Sequence, residues 1–163
     1  LNAGTIDTLR TKPITDSQIV LVKFTDSLLL IIVALAPTLT YVYTIIQLGN
    51  PAGNLDVGST IGSYIGLLFL AATYTSVGLF TSTFSKNQIV AFILGVFITF
   101  FLFYGFDAIA GLFPENSETI QLLGINEHFK SISRGVIDTR DVLYFISVSV
   151  FFLLLTKNQL RNV

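Results

Sequence analysis

The chain alternates four long apolar stretches with short polar segments that contain charged and turn-forming residues. The apolar stretches are residues 24–46, 59–82, 88–113 and 142–155. A helix rises about 1.5 Å per residue, so the first three are long enough to cross a hydrocarbon core of about 30 Å. The fourth is shorter, and its flanks at 139–141 and 156–157 would complete the crossing, with Lys157 reaching the interface. The pattern predicts an all-α, polytopic membrane protein with four transmembrane helices.

A capping box precedes the first stretch. In Thr15-x-x-Gln18, each side chain can bond to the backbone N–H of the other residue, which predicts a helix beginning near Asp16. Ile14 and Ile19 occupy the positions of the hydrophobic staple that accompanies such a box. This helix should continue without a break into the first apolar stretch.

Two further local signals bear on the helix boundaries. Ser85-x-x-Gln88 forms a second candidate capping box, with Phe84 and Ile89 as its staple, and predicts the start of the third span. Pro37 lies inside the first span and predicts a kink there.

Residues 114–141, between the third and fourth spans, are polar to amphipathic. They predict two short helices, one from Ser117 to about Leu123 and one from Asn126, as N-cap, to about Arg134, followed by Gly135 at C′. The second helix has opposed apolar and charged faces, which suits a helix lying in the membrane interface. The apolar face comprises Ile125, Phe129 and Ile132, and the charged face Glu127, Lys130 and Arg134.

The distribution of Lys and Arg predicts the orientation. Six basic residues fall on one side of the spans: Arg10, Lys12, Lys23, Lys86, Lys157 and Arg161. We therefore expect a cytoplasmic segment at 1–23, a transmembrane domain at 24–157 with the 114–141 connection on the outer face, and a cytoplasmic tail at 158–163.

Composition excludes several function classes. Hydrophobic residues make up 52% of the chain and charged residues 12%, and a net charge of −1 provides no basic surface for nucleic acid. The chain has no Cys and no Gly-Lys dipeptide, so it has neither a thiolate metal site nor a P-loop for a nucleotide. The single histidine, His128, is expected at the surface or in the interface. We predict a non-catalytic protein with no metal and no cofactor of its own.

The chain begins with Leu1 and contains no Met. Its first residues also lack the features of a signal peptide. We therefore expect it to be the C-terminal part of a longer protein with further membrane helices upstream.

Three glycines, Gly58, Gly62 and Gly66, recur at intervals of four residues at the start of the second span. Two overlapping G-x-x-x-G motifs of this kind allow another helix to approach closely, within the chain or between subunits. The alternative is a lipid-facing stripe without consequence.

Two acidic residues lie close to the membrane, where a charge is costly and points to function unless it is interfacial. Asp26 is only three residues from Lys23, which favours an interfacial carboxylate held by that lysine or by a helix N-terminus. Asp107, near the outer end of the third span, is either an interfacial, packed side chain or part of a substrate or proton pathway.

The segment from Gly4 to Lys23, GTIDTLRTKPITDSQIVLVK, resembles the cytoplasmic segment before the third transmembrane helix of ABC-2 type exporter permeases. That family commonly shows G-T-[IL]-E, a Leu, a Pro and then I-V-x-x-K, and here Asp7 replaces the Glu. The turn from Gly78 to Gln88 is similar to the family's connection between its fourth and fifth helices. The segment from His128 to Asp141, leading into Tyr144-Phe145, looks like the permease subunit associated with gliding motility.

The resemblance implies that these spans are the third to sixth of a six-helix permease in the cell inner membrane. It implies two partners: a separate ABC ATPase that binds ATP, and a second permease copy or paralogue. The residues that would couple to the ATPase are Thr5, Ile6, Asp7, Leu9, Arg10, Lys12, Pro13 and Ile14. Two other function classes remain open: a membrane scaffold of a motility complex, and a secondary transporter or ion pathway that uses Asp107.

Overall fold

The computed structural model describes residues 15–51 and 53–161. The described residues form helices joined by short turns and contain no strand, so the predicted all-α class is confirmed. Four helical segments are long and apolar enough to cross a membrane: Asp16–Leu48, Val57–Thr81, Gln88–Leu112 and Thr139–Arg161.

The first crossing contains two helices, α1 (Asp16–Leu35) and α2 (Thr38–Leu48). α1 begins at the predicted residue, where the Thr15 N–H donates to the Gln18 side-chain oxygen at 2.9 Å. The staple residue Ile14 lies outside the described residues. The expected interruption at Pro37 is present, because proline has no N–H to donate and its ring conflicts with the preceding turn.

The second crossing, α3 (Val57–Thr81), is a single helix of 25 residues. The third begins with α4 (Gln88–Phe100), but the prediction of a Ser85 capping box is wrong. Asn87 is the N-cap, its side chain accepts from the Ile89 N–H at 3.0 Å, and Ser85 instead accepts from the Asn87 N–H. Asn is a strong N-cap residue and stands one position before the helix, so it takes the role. Phe84, one of the two predicted staple residues, packs edge-on against Phe80.

The helix of the third crossing changes its pitch near its C-terminal end. Residues Phe101–Gly105 form a π turn, and α5 (Phe106–Leu112) continues beyond it. Gly105 permits this geometry, because a Cβ there would lie 2.5 Å from the ring of Phe101. Nothing in the hydrophobic pattern predicted this turn.

The connection between the third and fourth crossings contains a 3₁₀ turn (Pro114–Asn116), α6 (Ser117–Gln121) and α7 (Ile125–Ser133). Two helices were predicted here and two are found, with different ends. The predicted N-cap Asn126 lies inside α7, whose N-cap is Gly124 in extended conformation. Gly135 ends the helix as predicted, with a φ of +86° that side chains rarely adopt.

The fourth crossing, α8 (Thr139–Arg161), is longer than its apolar stretch of 142–155 because polar residues extend the helix at both ends. α3 and α8 form the centre of the bundle: 28% of their apolar windows is buried, against 11% in the first and third crossings. Small hydroxyl residues line their interface, where Thr73 Oγ1 lies 3.2 Å from Ser149 Oγ. Such residues let membrane helices pack closely.

Candidate functional site

The short helix α7 is seated in one end of the transmembrane bundle. Ile125 and Ile132 are fully buried and form a cluster with Phe145 of α8. Phe129 is partly buried against the same cluster. The amphipathic pattern of α7 therefore marks a face that packs on protein, in addition to any contact with the interface.

The three glycines of α3 lie beside this helix. A Cβ on Gly62 would collide with the carbonyl oxygen of Ile132 and would lie 2.8 Å from Gly135 Cα. Gly66 faces Phe129, whose ring would lie 3.2 Å from an added Cβ. Gly58 is exposed, and a Cβ added to Gly135 would lie 2.9 Å from the backbone of Gly58. The close approach at these positions is thus made within the chain.

Two hydroxyls beside the glycines bond to the end of α7. Ser59 Oγ donates to the Ser133 carbonyl oxygen at 2.9 Å, and Ser63 Oγ is 3.4 Å from the same oxygen. The last carbonyls of a helix lack intrahelical partners, so these hydroxyls satisfy a group that would otherwise be unpaired. They fix the end of α7 on α3.

A surface or interfacial position was expected for His128, but the side chain is buried within the protein, with 4% of its surface exposed. Its Nδ1 lies 2.7 Å from Asp141 Oδ1, and its Nε2 lies 2.9 Å from the Leu122 carbonyl oxygen. A carbonyl only accepts, so Nε2 is the donor to Leu122, which leaves Nδ1 facing the Asp141 carboxyl group. The residue is buried because it lies one turn from Ile125 and Ile132, on the face that packs on the bundle.

Tyr144 completes this cluster. Its ring stacks on His128 with centroids 3.9 Å apart, and its hydroxyl donates to the Leu123 carbonyl oxygen at 2.6 Å. The first turns of α8 therefore hold both the loop before α7 and the middle of α7. Sequence reasoning missed this cluster. The sequence did contain a signal. Asp141 and Tyr144 are three residues apart, so they lie on one face of a helix, where both can contact the single histidine.

Asp107, the predicted pathway residue, lies at the start of α5 and accepts a hydrogen bond from Asn126 of α7. Its other carboxylate oxygen is buried and has no hydrogen-bond partner among the described residues. The side chain thus joins the third crossing to α7. Asp26, in contrast, is exposed on α1 and forms no ion pair with Lys23 in the described part of the chain.

The outer surface of α7 is charged. Lys130 Nζ donates to Glu127 Oε1 at 2.9 Å, and this hydrogen bond raises the pKa of the lysine. Both side chains are solvent-accessible, so the pair adds little to stability. No group of three His, Cys, Asp or Glu residues able to hold a metal ion occurs among residues 15–51 and 53–161.

The predicted ATPase-coupling residues, from Thr5 to Ile14, all lie outside the described residues, as does the turn at Pro13. Their role stays a prediction. The described chain begins immediately after them, at the capped start of α1.

Comparison with known proteins gives one match. The sequence profile of the ABC-2 family transporter proteins matches residues 1–156. No curated protein and no solved structure matches the chain significantly. The profile covers nearly the whole sequence, and the four apolar helices agree with a multi-pass membrane protein. The chain therefore belongs to the ABC-2 transporter family.

Proposed function

We propose that the chain is the permease subunit of an ABC-2 exporter in the cytoplasmic membrane, driven by a separate ATPase subunit that docks on residues 5–14. Family membership supports a transmembrane permease that is not itself catalytic. The docking position and the direction of force are our inference.

One observation carries the coupling mechanism: α1 is an uninterrupted helix of 20 residues whose capped end directly follows the proposed docking segment. A helix of this length spans about 30 Å and moves as a rigid body. Ile19 and Val20, near its cytoplasmic end, are buried, and α1 contacts both α3 and α8. A push at the docking segment would therefore tilt α1 against the two central helices.

The same central helices hold the outer-face helix. α7 packs on the glycines of α3 and on the start of α8, so movement of either central helix changes the surface on which α7 packs. In this proposal, ATP hydrolysis on the cytoplasmic side repositions α7 on the outer side. Apolar residues of the segment, Ile6, Leu9 and Ile14, would anchor the ATPase, and Asp7, Arg10 and Lys12 would set its register.

The test uses the full-length protein co-expressed with its ATPase. Leu9→Asp combined with Ile14→Asp should abolish co-purification of the ATPase, because a charge replaces each apolar anchor. Thr8→Asp combined with Thr11→Asp adds the same charge at polar positions of the segment and should retain the ATPase. All variants should unfold at the same temperature in detergent. Co-purification of the Leu9/Ile14 variant with its ATPase would contradict the docking site.

The association with gliding motility is part of the proposal and is supported by the His128–Asp141 segment alone. A scaffold for a motility complex, without a transported solute, would keep its function when the ATPase partner is inactivated. The exporter that we propose would lose it.

A secondary transporter or ion pathway through Asp107 makes a different prediction. Transport would continue without any ATPase and would stop in Asp107→Asn. In our proposal Asp107 positions Asn126, and Asp107→Asn leaves transport dependent on ATP.

A further inference from the structure

A groove of about 400 Å³ lies between α3 and α4, at the end of the bundle that carries Lys86. Polar groups line its mouth: Ser82, Ser85, Lys86 and Gln88. Beyond the mouth the walls become mainly apolar, with Ala91, Phe92 and Val96 supplied by α4. The groove is thus polar at its mouth and mainly apolar further along.

The groove has the length of one membrane leaflet. Its lining runs along α4 from Gln88 to Thr99, which corresponds to roughly 17 Å at 1.5 Å per residue. Half of a hydrocarbon core is about 15 Å thick. The groove therefore extends from the interface to near the middle of the bilayer.

The described side chains leave this space open. A Cβ added to Gly78, on the α3 wall, would meet no atom within 4 Å. Next to it the two helices touch, because a Cβ on Gly95 would lie 3.2 Å from Thr81 Oγ1. The groove therefore lies beside the contact between the two helices and is accessible to a ligand in the membrane.

The mouth carries a cation with no partner. Lys86 is exposed and forms no ion pair or hydrogen bond within the described part of the chain, whereas Lys130 on the opposite side is bonded to Glu127. The side chains of the neighbouring Asn87 and Ser85 each accept a hydrogen bond from a backbone N–H at the start of α4. The positive charge is therefore available to an anion at the level of the lipid headgroups.

We propose that this groove binds an anionic glycerophospholipid of the cytoplasmic leaflet, with its phosphate at Lys86 and one acyl chain along α4. A cation at the interface, above a mainly apolar groove one leaflet deep, matches a headgroup above a tail. The proposal does not depend on ATPase coupling, and the two can fail separately.

The test measures lipids retained by the full-length protein, purified from membranes with equal amounts of phosphatidylglycerol and phosphatidylcholine, by native mass spectrometry. The wild type should retain phosphatidylglycerol with about fivefold preference, the factor expected for one lysine at an anionic surface. Lys86→Gln should reduce this preference to near parity. Lys157→Gln removes a cytoplasmic-end charge away from the groove and should keep it.

A second pair of variants tests the groove itself. Gly78→Leu fills open space on the α3 wall and should remove the retained lipid. Gly111→Leu, at another site where an added Cβ meets nothing, should leave it in place. Lys86→Glu changes only an exposed turn residue and should exclude phosphatidylglycerol even if Gly78→Leu does not fold.

Three results would overturn the proposal. One is equal lipid retention by the wild type and Gly78→Leu. Another is an unchanged preference for phosphatidylglycerol in both Lys86 variants. The third is dissociation of a dimer by Gly78→Leu, which would identify a second copy of the chain as the occupant.

Discussion

The buried pair of His128 and Asp141 offers the sharpest test of how α7 is held. We consider three variants: His128→Leu, Asp141→Leu and the double variant. Each single change leaves one polar partner buried, since the two residues are 4% and 5% exposed. Removing one partner of a buried, hydrogen-bonded pair of this kind costs about 3–5 kcal/mol, because the remaining group is desolvated without compensation.

In His128→Leu the carboxylate of Asp141 would lose the bond at its Oδ1, and its Oδ2 already lacks a partner among the described residues. We expect this variant to lose about 3 kcal/mol or more of unfolding free energy. The double variant removes both polar groups and should lose only about 1 kcal/mol, mainly the stacking of His128 on Tyr144. The double variant should therefore be more stable than either single variant.

The measurement is the free energy of unfolding in mixed detergent micelles, from titration with sodium dodecyl sulfate followed by circular dichroism. Tyr144→Phe serves as a control, because it removes one exposed hydrogen bond to Leu123 and should cost about 1 kcal/mol. If the double variant loses the sum of the two single losses, His128 and Asp141 do not form a coupled pair and the reasoning fails.

Two further predictions concern glycines and use the same unfolding assay. Gly62→Ala should destabilise the protein by about 2 kcal/mol, because the new Cβ collides with the Ile132 backbone. Gly78→Ala should be neutral or stabilising, because a Cβ there meets no atom. Equal effects of the two substitutions would contradict the packing of α7 on α3. Gly135→Ala should cost more than Gly53→Ala: both have a positive φ, which costs about 1–2 kcal/mol, but only at Gly135 does the new Cβ meet another backbone. A larger loss at Gly53 would show that the contact at the end of α7 is not tight.

Much of the helical framework could be predicted because lipid imposes a simple rule. A membrane helix must be apolar over the thickness of the core, so hydropathy alone located the four crossings. Local chemistry located the start of α1 at Thr15 and the end of α7 at Gly135, since both signals act within a few residues. The same reasoning failed at Ser85, where the stronger cap Asn87 stands two residues further on.

The cluster around His128 could not be predicted, because it depends on contacts between residues far apart along the chain. The amphipathic pattern of α7 showed which face is apolar but did not show that the bundle covers it. His128 lies next to that face, and its burial required the position of α8 relative to α7. Likewise the glycine stripe predicted close packing, while its partner, a short helix 70 residues away, was visible only in the structure.

The π turn at Phe101–Gly105 has a consequence for the direction in which Asp107 points. Each residue of an α-helix advances about 100° around the axis, and a π turn uses one more residue per turn. A helical wheel drawn from Gln88 without that turn would place Asp107 about 100° away from Asn126. Deleting one residue between 101 and 105 would straighten the helix, leave its hydropathy almost unchanged, and rotate the carboxylate away from α7.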